Sequence, residues 1–404
     1  MKICVLSDEY LPDSQKNHAR MLHELAVEFF KQGHEVTVIT PRDKPSTEGI
    51  SQEDLDGVKI WRFKTFIARG TGKIRRAVFE SIMSQSAIYY IKKASLNPQF
   101  DICINYSPSI FFAYLNKWLK VQGSFNFLIL RDFFPQWVID EGIISSKGAL
   151  ARYFRYIESM NYKSSDVIAV QSDANIEIFR KNSPFNHSNV RVLYNWSTTE
   201  LGCSLKYFGE SFLVKHKLKN KILLFYGGNI GHAQDMTNLM KLARGLKPIS
   251  KAHILLIGRG DEVELVKRLK KSWDLDNVSI FSSMTQAEYD SVLQLIDIGL
   301  FSLSRSHKAH NFPGKLLGYM KYGKPILGSV NSGNDLMSVI NLSGAGLVTL
   351  NGDDSAFLKN ALSVINDSSL RGDMGLSSRR LLEDKFTVNY ATRFILDTYA
   401  ISTI

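Results

Sequence analysis

Four short stretches carry the residue types that could do chemistry. "FYGGNIGHAQD", residues 225–235, holds Gly227, Gly228 and Gly231 with Asn229 and His232 among them. Glycines at a strand–helix turn let backbone N–H groups approach a diphosphate, and the positive end of the next helix adds attraction. A tight structural turn uses the same residues, so this motif alone leaves both readings open. "IGRGDE", residues 257–262, repeats the arrangement, with Arg259 available for a phosphate or a base. Gly260 and Asp261 follow it, and Glu262 falls in the first helical turn. "FSSMT", residues 281–285, offers backbone groups to a nucleobase edge beside Met284. In "HNFPGKLLGYMKYGKP", residues 310–325, His310, Asn311, Phe312, Pro313 and Gly314 turn into a helix opened by Lys315. A lysine there opposes the helix dipole, a conflict that a bound anion relieves. A solvated side chain is the bland alternative for Lys315. Gly318 sits inside the same helix, where glycine costs about 1 kcal/mol against alanine.

These loops need a scaffold, and the chain supplies two. "KICVLSD", the helical spacing of Ala19, Leu22, Leu25, Ala26, Phe29 and Phe30, and "HEVTVITP" make a first βαβ unit. Strand and helix continue to alternate through "VRVLYN", then start afresh at "KILLFYGG". Such alternation predicts α/β architecture with parallel sheets covered on both faces. The predicted domains are residues 1–198 and 199–387, with a final helix over 388–404 that returns to the first. Ligands of open α/β sheets bind beyond the carboxyl ends of the strands, so two such domains facing each other make a cleft.

Composition narrows the class. A chain of 404 residues exceeds one ordinary core, and 44% apolar with 22% charged residues suits a globular enzyme. Three cysteines at wide spacing give no disulfide framework or metal pattern, which favours a reducing compartment. The start is a strand rather than a signal peptide, and no apolar run is long enough to span a bilayer. A cytoplasmic location is expected. The "DLD" triplets at 54–56 and 274–276 are weak metal candidates, and no metal is expected.

Net charge is +11, and its densest excess lies over residues 59–93. Lys59, Arg62, Lys64, Arg69, Lys73, Arg75, Arg76, Lys92 and Lys93 face one acid, Glu80, and Val78, Ile82, Ile88 and Ile91 recur at helical spacing. A solvated basic face is one reading, and an anionic membrane or phosphorylated acceptor is another. Nucleic acid is not expected, because no recognised nucleic-acid module accompanies the charge.

The order of motifs resembles the retaining glycosyltransferases of family 4, which have the two-domain GT-B fold. "GHEVTVIT", "SSDVIAVQS" with "VRVLYNW", "YGGNIGHAQDMTNLMKLA", "LLIGRGDE" and "FPGKLLGYMKYGKPIL" carry the likeness over nearly the whole chain. "RDFFPQWVIDEG", "LYNW" and "GNIG" look most like the bacterial O-antigen and capsule subgroup, which includes N-acetyl-L-fucosamine transferases. The resemblance implies a nucleotide-sugar donor, with UDP as the expected nucleotide, and a saccharide acceptor linked to a lipid diphosphate. It implies donor contacts from Gly228, Asn229, His232, Arg259, Gly260, Asp261, Glu262, Met284 and residues 310–314. Acceptor contacts are implied for Ser14, Gln15 and Lys16, and catalytic roles for Asp132, Arg131 and Lys315.

Two departures stand out. The family's paired glutamates are His310 and Gly318 here, and its usual His-Asp is Arg131-Asp132. Retaining transfer needs its leaving diphosphate stabilised by positioned cations, and it requires no glycosidase-type carboxylate pair. Enzymes with related sheets keep two other readings open: a nucleotide-sugar epimerase and a non-catalytic nucleotide-sugar-binding protein. A nicotinamide dehydrogenase is disfavoured, since neither first-strand turn carries G-x-G-x-x-G.

Overall fold

The helix Asn17–Lys31 shows how sequence sets structure here. Ala19, Leu22, Leu25, Ala26 and Phe29 form its buried stripe. Gln32 ends it, and Gly33 follows at φ +85°, a conformation that favours glycine. The computed structural model describes residues 1–404 except 15, 43–47, 66–79, 108, 141, 184–186, 202–204, 206, 307–311 and 403–404. Within the described residues the chain divides into Met1–Ser197 with Val388–Ile404, and Thr198–Thr387.

The first unit is built on eight strands: β1 (Lys2–Leu6), β2 (Glu35–Pro41), β3 (Ile50–Leu55), β4 (Val58–Phe63), β5 (Ile102–Ser107), β6 (Phe125–Leu130), β7 (Val167–Val170) and β8 (Val190–Val192). Their order is β3-β4-β2-β1-β5-β6-β7-β8, parallel throughout except for the antiparallel β3–β4 hairpin. Asp56 and Gly57 close that hairpin at φ 54° and 81°, and the Asp54 carboxylate accepts from the Gly57 N–H at 3.1 Å. Asp54 and Asp56 are therefore turn residues. Cys4 and Cys103, paired on neighbouring strands β1 and β5, are both free and buried. The final helix Val388–Ser402 packs against Asn17–Lys31 and adds Val388, Ala391 and Ile395 to this unit's core.

The second unit has six strands: β9 (Ile222–Asn229), β10 (Ala252–Arg259), β11 (Val278–Phe281), β12 (Ile298–Ser302), β13 (Ile326–Val330) and β14 (Gly346–Leu350). All pair in parallel in the order β11-β10-β9-β12-β13-β14. Renumbered within the unit this is 3-2-1-4-5-6, the doubly wound dinucleotide-fold order. The strand order reverses between β9 and β12, so the loops after those two strands flank the unit's natural ligand crevice. In the first unit the same reversal lies between β1 and β5. The second "DLD" triplet is also a turn, with Asp274 at φ 48° and its carboxylate 3.0 Å from Lys247 Nζ.

The basic stretch divides in the structure. Arg62 is 2% exposed, and its guanidinium meets Glu53 at 2.8 Å, Asp13 at 3.2 Å and the Leu11 carbonyl. The helix Met83–Lys93 turns Ile91 into the core and packs Ile88 against it, while Ile82 stays exposed. The apolar positions Ile88 and Ile91 thus serve the core rather than an outside surface. Arg69, Lys73, Arg75, Arg76 and Val78 lie outside the described residues.

Candidate functional site

The glycine-rich carboxyl ends of β9 and β10 run side by side, with Gly228 paired to Gly258, and lead into the loops beyond them. A Cβ on Gly258 would come 1.8 Å from the Gly228 carbonyl, and one on Gly260 would come 2.1 Å from the Ile230 carbonyl. No side chain fits either position. The Ile230 N–H donates to the Arg259 carbonyl at 2.9 Å, and the Glu262 N–H to the Ile230 carbonyl at 3.0 Å. Gly228 itself stands at φ +122°, strained for any residue with a Cβ.

The helix after this loop, Met236–Leu246, has its N-terminus already occupied. The Asp235 carboxylate accepts from the Asn238 N–H at 3.3 Å, and Glu262 accepts from the Met236 N–H at 3.2 Å. Its positive end, expected from sequence to attract a diphosphate, is answered by the protein's own carboxylates. The other oxygen of Glu262 lies 3.5 Å from Nδ1 of the exposed His232. Asn229, Arg259, Gly260 and Asp261 are exposed around this rim, and Met284 is half-buried.

Lys315 supplies what the helix end does not. It opens the helix Lys315–Lys321 after β12, on the far side of the strand-order reversal from the Gly228 loop. Its ammonium is buried and, among the described residues, has no hydrogen-bond partner. It lies 3.4 Å from the centre of the Tyr226 ring, within β9 just before the glycines. A methyl placed on Gly228 would sit 4.0 Å from Nζ. Cation–π attraction contributes about 1–2 kcal/mol to such an ammonium, less than three unmet donors lose on burial. Burial accordingly pushes the Lys315 pKa well below that of an ordinary lysine. A buried cation with idle donors beside a glycine loop is suited to an anion.

Phe312 is 4% exposed with its ring 4.7 Å from that of Phe386, and Pro313 and Gly314 lead into the helix. A Cβ on Gly318 would meet only Leu293 Cδ2, at 3.3 Å. His310 and Asn311 lie outside the described residues. Tyr226 escaped the sequence reading. The signal available was its place directly before Gly227 and Gly228, where strand alternation fixes the face it takes.

In the first unit the loop after β1 is held in several places. Ser14 Oγ donates to Glu9 at 2.7 Å, and Lys16 Nζ to the other Glu9 oxygen at 2.5 Å. Burial would raise the Glu9 pKa, but those two hydrogen bonds outweigh it and the net shift is downward. Tyr10, 1% exposed, meets His23 Nδ1 at 2.9 Å, and His23 Nε2 meets Asp56 at 2.9 Å. Gln15 lies outside the described residues. Deeper at the strand ends, the His18 ring stacks on Tyr106 and its Nε2 is 3.6 Å from Asp8 Oδ1. Burial pushes the Tyr106 hydroxyl up to about 12, against the Arg131 guanidinium beside it.

Arg131 and Asp132, adjacent in sequence, differ in environment. Arg131 is buried, and its guanidinium donates to the carbonyls of Leu193 at 2.6 Å and Tyr194 at 3.2 Å. Burial lowers its pKa to about 10. Asp132, just past the end of β6, is exposed and acts electrostatically on both Tyr106 and Arg131. The strand ends therefore bring Asp8, His18, Tyr106 and Asp132 to one edge of this unit.

Both halves of the chain match known families at these elements. Residues 18–201 match the family described as Glycosyltransferase Family 4, and residues 210–380 match Glycosyl transferases group 1. The chain is a group 1, family 4 glycosyltransferase of the GT-B fold. The probable glycosyltransferase WbjE of Pseudomonas aeruginosa is 22% identical over 352 residues, covering 85% of this chain and 84% of WbjE. Among solved structures, the glycosyltransferase WaaG, involved in lipopolysaccharide biosynthesis, superposes with a TM-score of 0.63 at 14% identity. That match covers 98% of this chain and 99% of WaaG. HepE of Anabaena, crystallised with UDP-glucose, gives a TM-score of 0.68 at 12% identity over 100% of both chains. The N-acetyl-L-fucosamine subgroup does not emerge from these likenesses. In this glycosyltransferase the Gly228 loop and Lys315 lie within the segment matched to group 1.

Proposed function

We propose that this glycosyltransferase moves a sugar, with retention, from a UDP-linked donor to a lipid-diphosphate-linked saccharide during surface-polysaccharide synthesis. The observation that carries the reading is the buried Lys315 ammonium, without a hydrogen-bond partner among the described residues, beside Gly228 at the second unit's strand-order reversal. A donor diphosphate supplies the two things that ammonium lacks, a counter-charge and hydrogen-bond acceptors. HepE, crystallised with UDP-glucose, supports UDP as the nucleotide, and WaaG supports a surface-polysaccharide setting.

In this reading the bond from the anomeric carbon to the diphosphate breaks while an acceptor hydroxyl bonds to that carbon on the same face. The hydroxyl proton passes to the departing phosphate. Lys315 and the backbone amides of the Gly228 loop stabilise the charge that develops there, so the chemistry is assigned without a metal. Arg259 and Asp261 at the rim serve donor recognition, and Ser14 and Lys16 shape the acceptor loop. Asp132 supplies the polar group of the transfer step, and Arg131 fixes the loop that carries it. A donor such as N-acetyl-L-fucosamine stays within this reading. The enzyme works at the inner face of the cytoplasmic membrane; among the described residues no helix is long and apolar enough to cross one.

The test is a screen of nucleotide sugars against a lipid-diphosphate-linked monosaccharide, read by mass. A product heavier by one sugar residue supports the reading. An isomerised donor formed without acceptor would instead indicate an epimerase, and nucleotide-sugar affinity without turnover on any acceptor a binding protein.

A further inference from the structure

Tyr226 is fully buried in β9 and is engaged both on its ring face and at its hydroxyl. Over the face stands the Lys315 ammonium, 3.4 Å from the ring centre. The hydroxyl donates to the Asn229 carbonyl, and Gln234 Oε1 lies 3.4 Å from it. One side chain thus touches both the cation and the backbone of the Gly228 loop.

The strand around Tyr226 is itself fixed. The Gly227 N–H donates to the Tyr319 hydroxyl at 3.4 Å, and that hydroxyl meets the Phe225 and Leu300 carbonyls at 3.1 and 3.0 Å. A Cβ on Gly227 would come 2.2 Å from the Tyr289 hydroxyl. The lysine, by contrast, carries its charge on a flexible four-carbon stem. A carboxylate could hold that ammonium, but it would neutralise the charge and occupy its donors. A ring face attracts a cation through its quadrupole and leaves the three N–H donors idle. Gly228 is exposed, and among the described residues beyond its chain neighbours only Lys315 Cε and Nζ come within 4 Å of a Cβ placed on it, at 3.8 and 4.0 Å. An anion resting on Gly228 therefore meets an ammonium already in place.

We propose that Tyr226 is a positioning residue for sugar transfer: its ring holds the Lys315 ammonium without using its donors, while its hydroxyl fixes the Asn229 carbonyl. Cation and glycine loop then meet one diphosphate at a set spacing, with no reordering when the donor arrives. The inference rests on the reading that Lys315 meets the donor diphosphate. The ring also favours the charged form of Lys315 and so offsets part of the effect of burial. Without the ring, the free enzyme loses the lysine proton at lower pH.

Calorimetry in buffers of different ionisation enthalpy follows proton uptake on UDP binding across pH in wild type, Tyr226→Leu, Tyr226→Phe and Lys315→Met. Uptake begins where the free ammonium starts to lose its proton. Tyr226→Leu moves that onset down by about one pH unit, the size of a cation–π contact. Tyr226→Phe keeps the ring and the wild-type onset. The other titratable groups of this shell are the Tyr289 and Tyr319 phenols, which burial keeps protonated, and Glu262, which acts on Tyr226 and faces His232. Lys315→Met retains them all, so it measures any uptake that is not the lysine's. Hydrogen exchange reads the hydroxyl. The Ile230 amide, which donates to the Arg259 carbonyl, exchanges at least about tenfold faster in Tyr226→Phe and at the wild-type rate in Lys315→Met. Thermal melts check folding, and Tyr226→Met replaces Tyr226→Leu if the branched side chain does not fit. An onset in the ring-free variant at or above the wild-type pH, or unaltered Ile230 exchange in Tyr226→Phe, overturns the positioning role alone. Equal uptake by wild type and Lys315→Met would overturn the donor-site reading and this inference with it.

Discussion

The ammonium of Lys315 lies 3.4 Å from the centre of the Tyr226 ring and has no hydrogen-bond partner among the described residues. In the proposed role this site serves function at the expense of stability, because burying an ammonium without hydrogen-bond acceptors carries a cost that a bound diphosphate would offset. Lys315→Met keeps the bulk and removes the charge. The free variant is expected to be as stable as wild type, or more stable by about 1 kcal/mol. Urea unfolding without nucleotide measures this, and marked destabilisation would show that the lysine supports the fold.

Proton linkage follows from the same burial. The folded-state pKa of Lys315 is lowered, so below it the ammonium exists in both folded and unfolded chains and its burial penalty is fully felt. As pH rises through the folded value the native state sheds the proton first, and this contribution to stability increases. A bound diphosphate reverses the preference. UDP binding should take up a proton, and above the free-enzyme pKa its affinity should fall by about tenfold per pH unit. Calorimetry in buffers of different ionisation enthalpy reads the uptake, and Lys315→Met should abolish it.

Asp132 is exposed beyond β6, beside Tyr106 and Arg131. Asp132→Asn keeps the shape and loses the charge. Turnover is expected to drop about a hundredfold or more while UDP affinity holds, the signature of an interaction made in the transition state. Near-wild-type turnover by a folded variant would remove Asp132 from the reaction.

Arg131 should behave differently from its neighbour. Its guanidinium ties the carbonyls of Leu193 and Tyr194, so Arg131→Met leaves two acceptors without their donor. A loss of about 3 kcal/mol in unfolding free energy is expected. UDP affinity of the folded fraction should not change. If stability were unaffected and only turnover fell, the clamp would not be its role.

The periodicity of Leu22, Leu25 and Phe29, and the glycines near the carboxyl end of β9, made the sheets and one loop legible in sequence. Environment was harder to read. Arg62 looked like part of a basic surface because Asp13 is far away in sequence and Glu53 meets it only across the β3–β4 hairpin. The Met236–Leu246 N-terminus looked free for a ligand because Glu262, which caps it, arrives from the neighbouring strand's loop. Lys315 was visible as a cation in a first turn. Its isolation over Tyr226 was not, since burial of a side-chain tip depends on a residue 89 positions away (315 − 226).

Calorimetric titration of UDP into wild type and Lys315→Met measures what the Lys315 ammonium contributes to donor binding. If Lys315 holds the donor diphosphate, the variant binds UDP more weakly by about 1.5–3 kcal/mol, the range for a charge-assisted hydrogen bond. Uridine, lacking the diphosphate, should bind both proteins alike. Equal UDP affinity in the two would contradict the assignment of Lys315 and the donor site built around it.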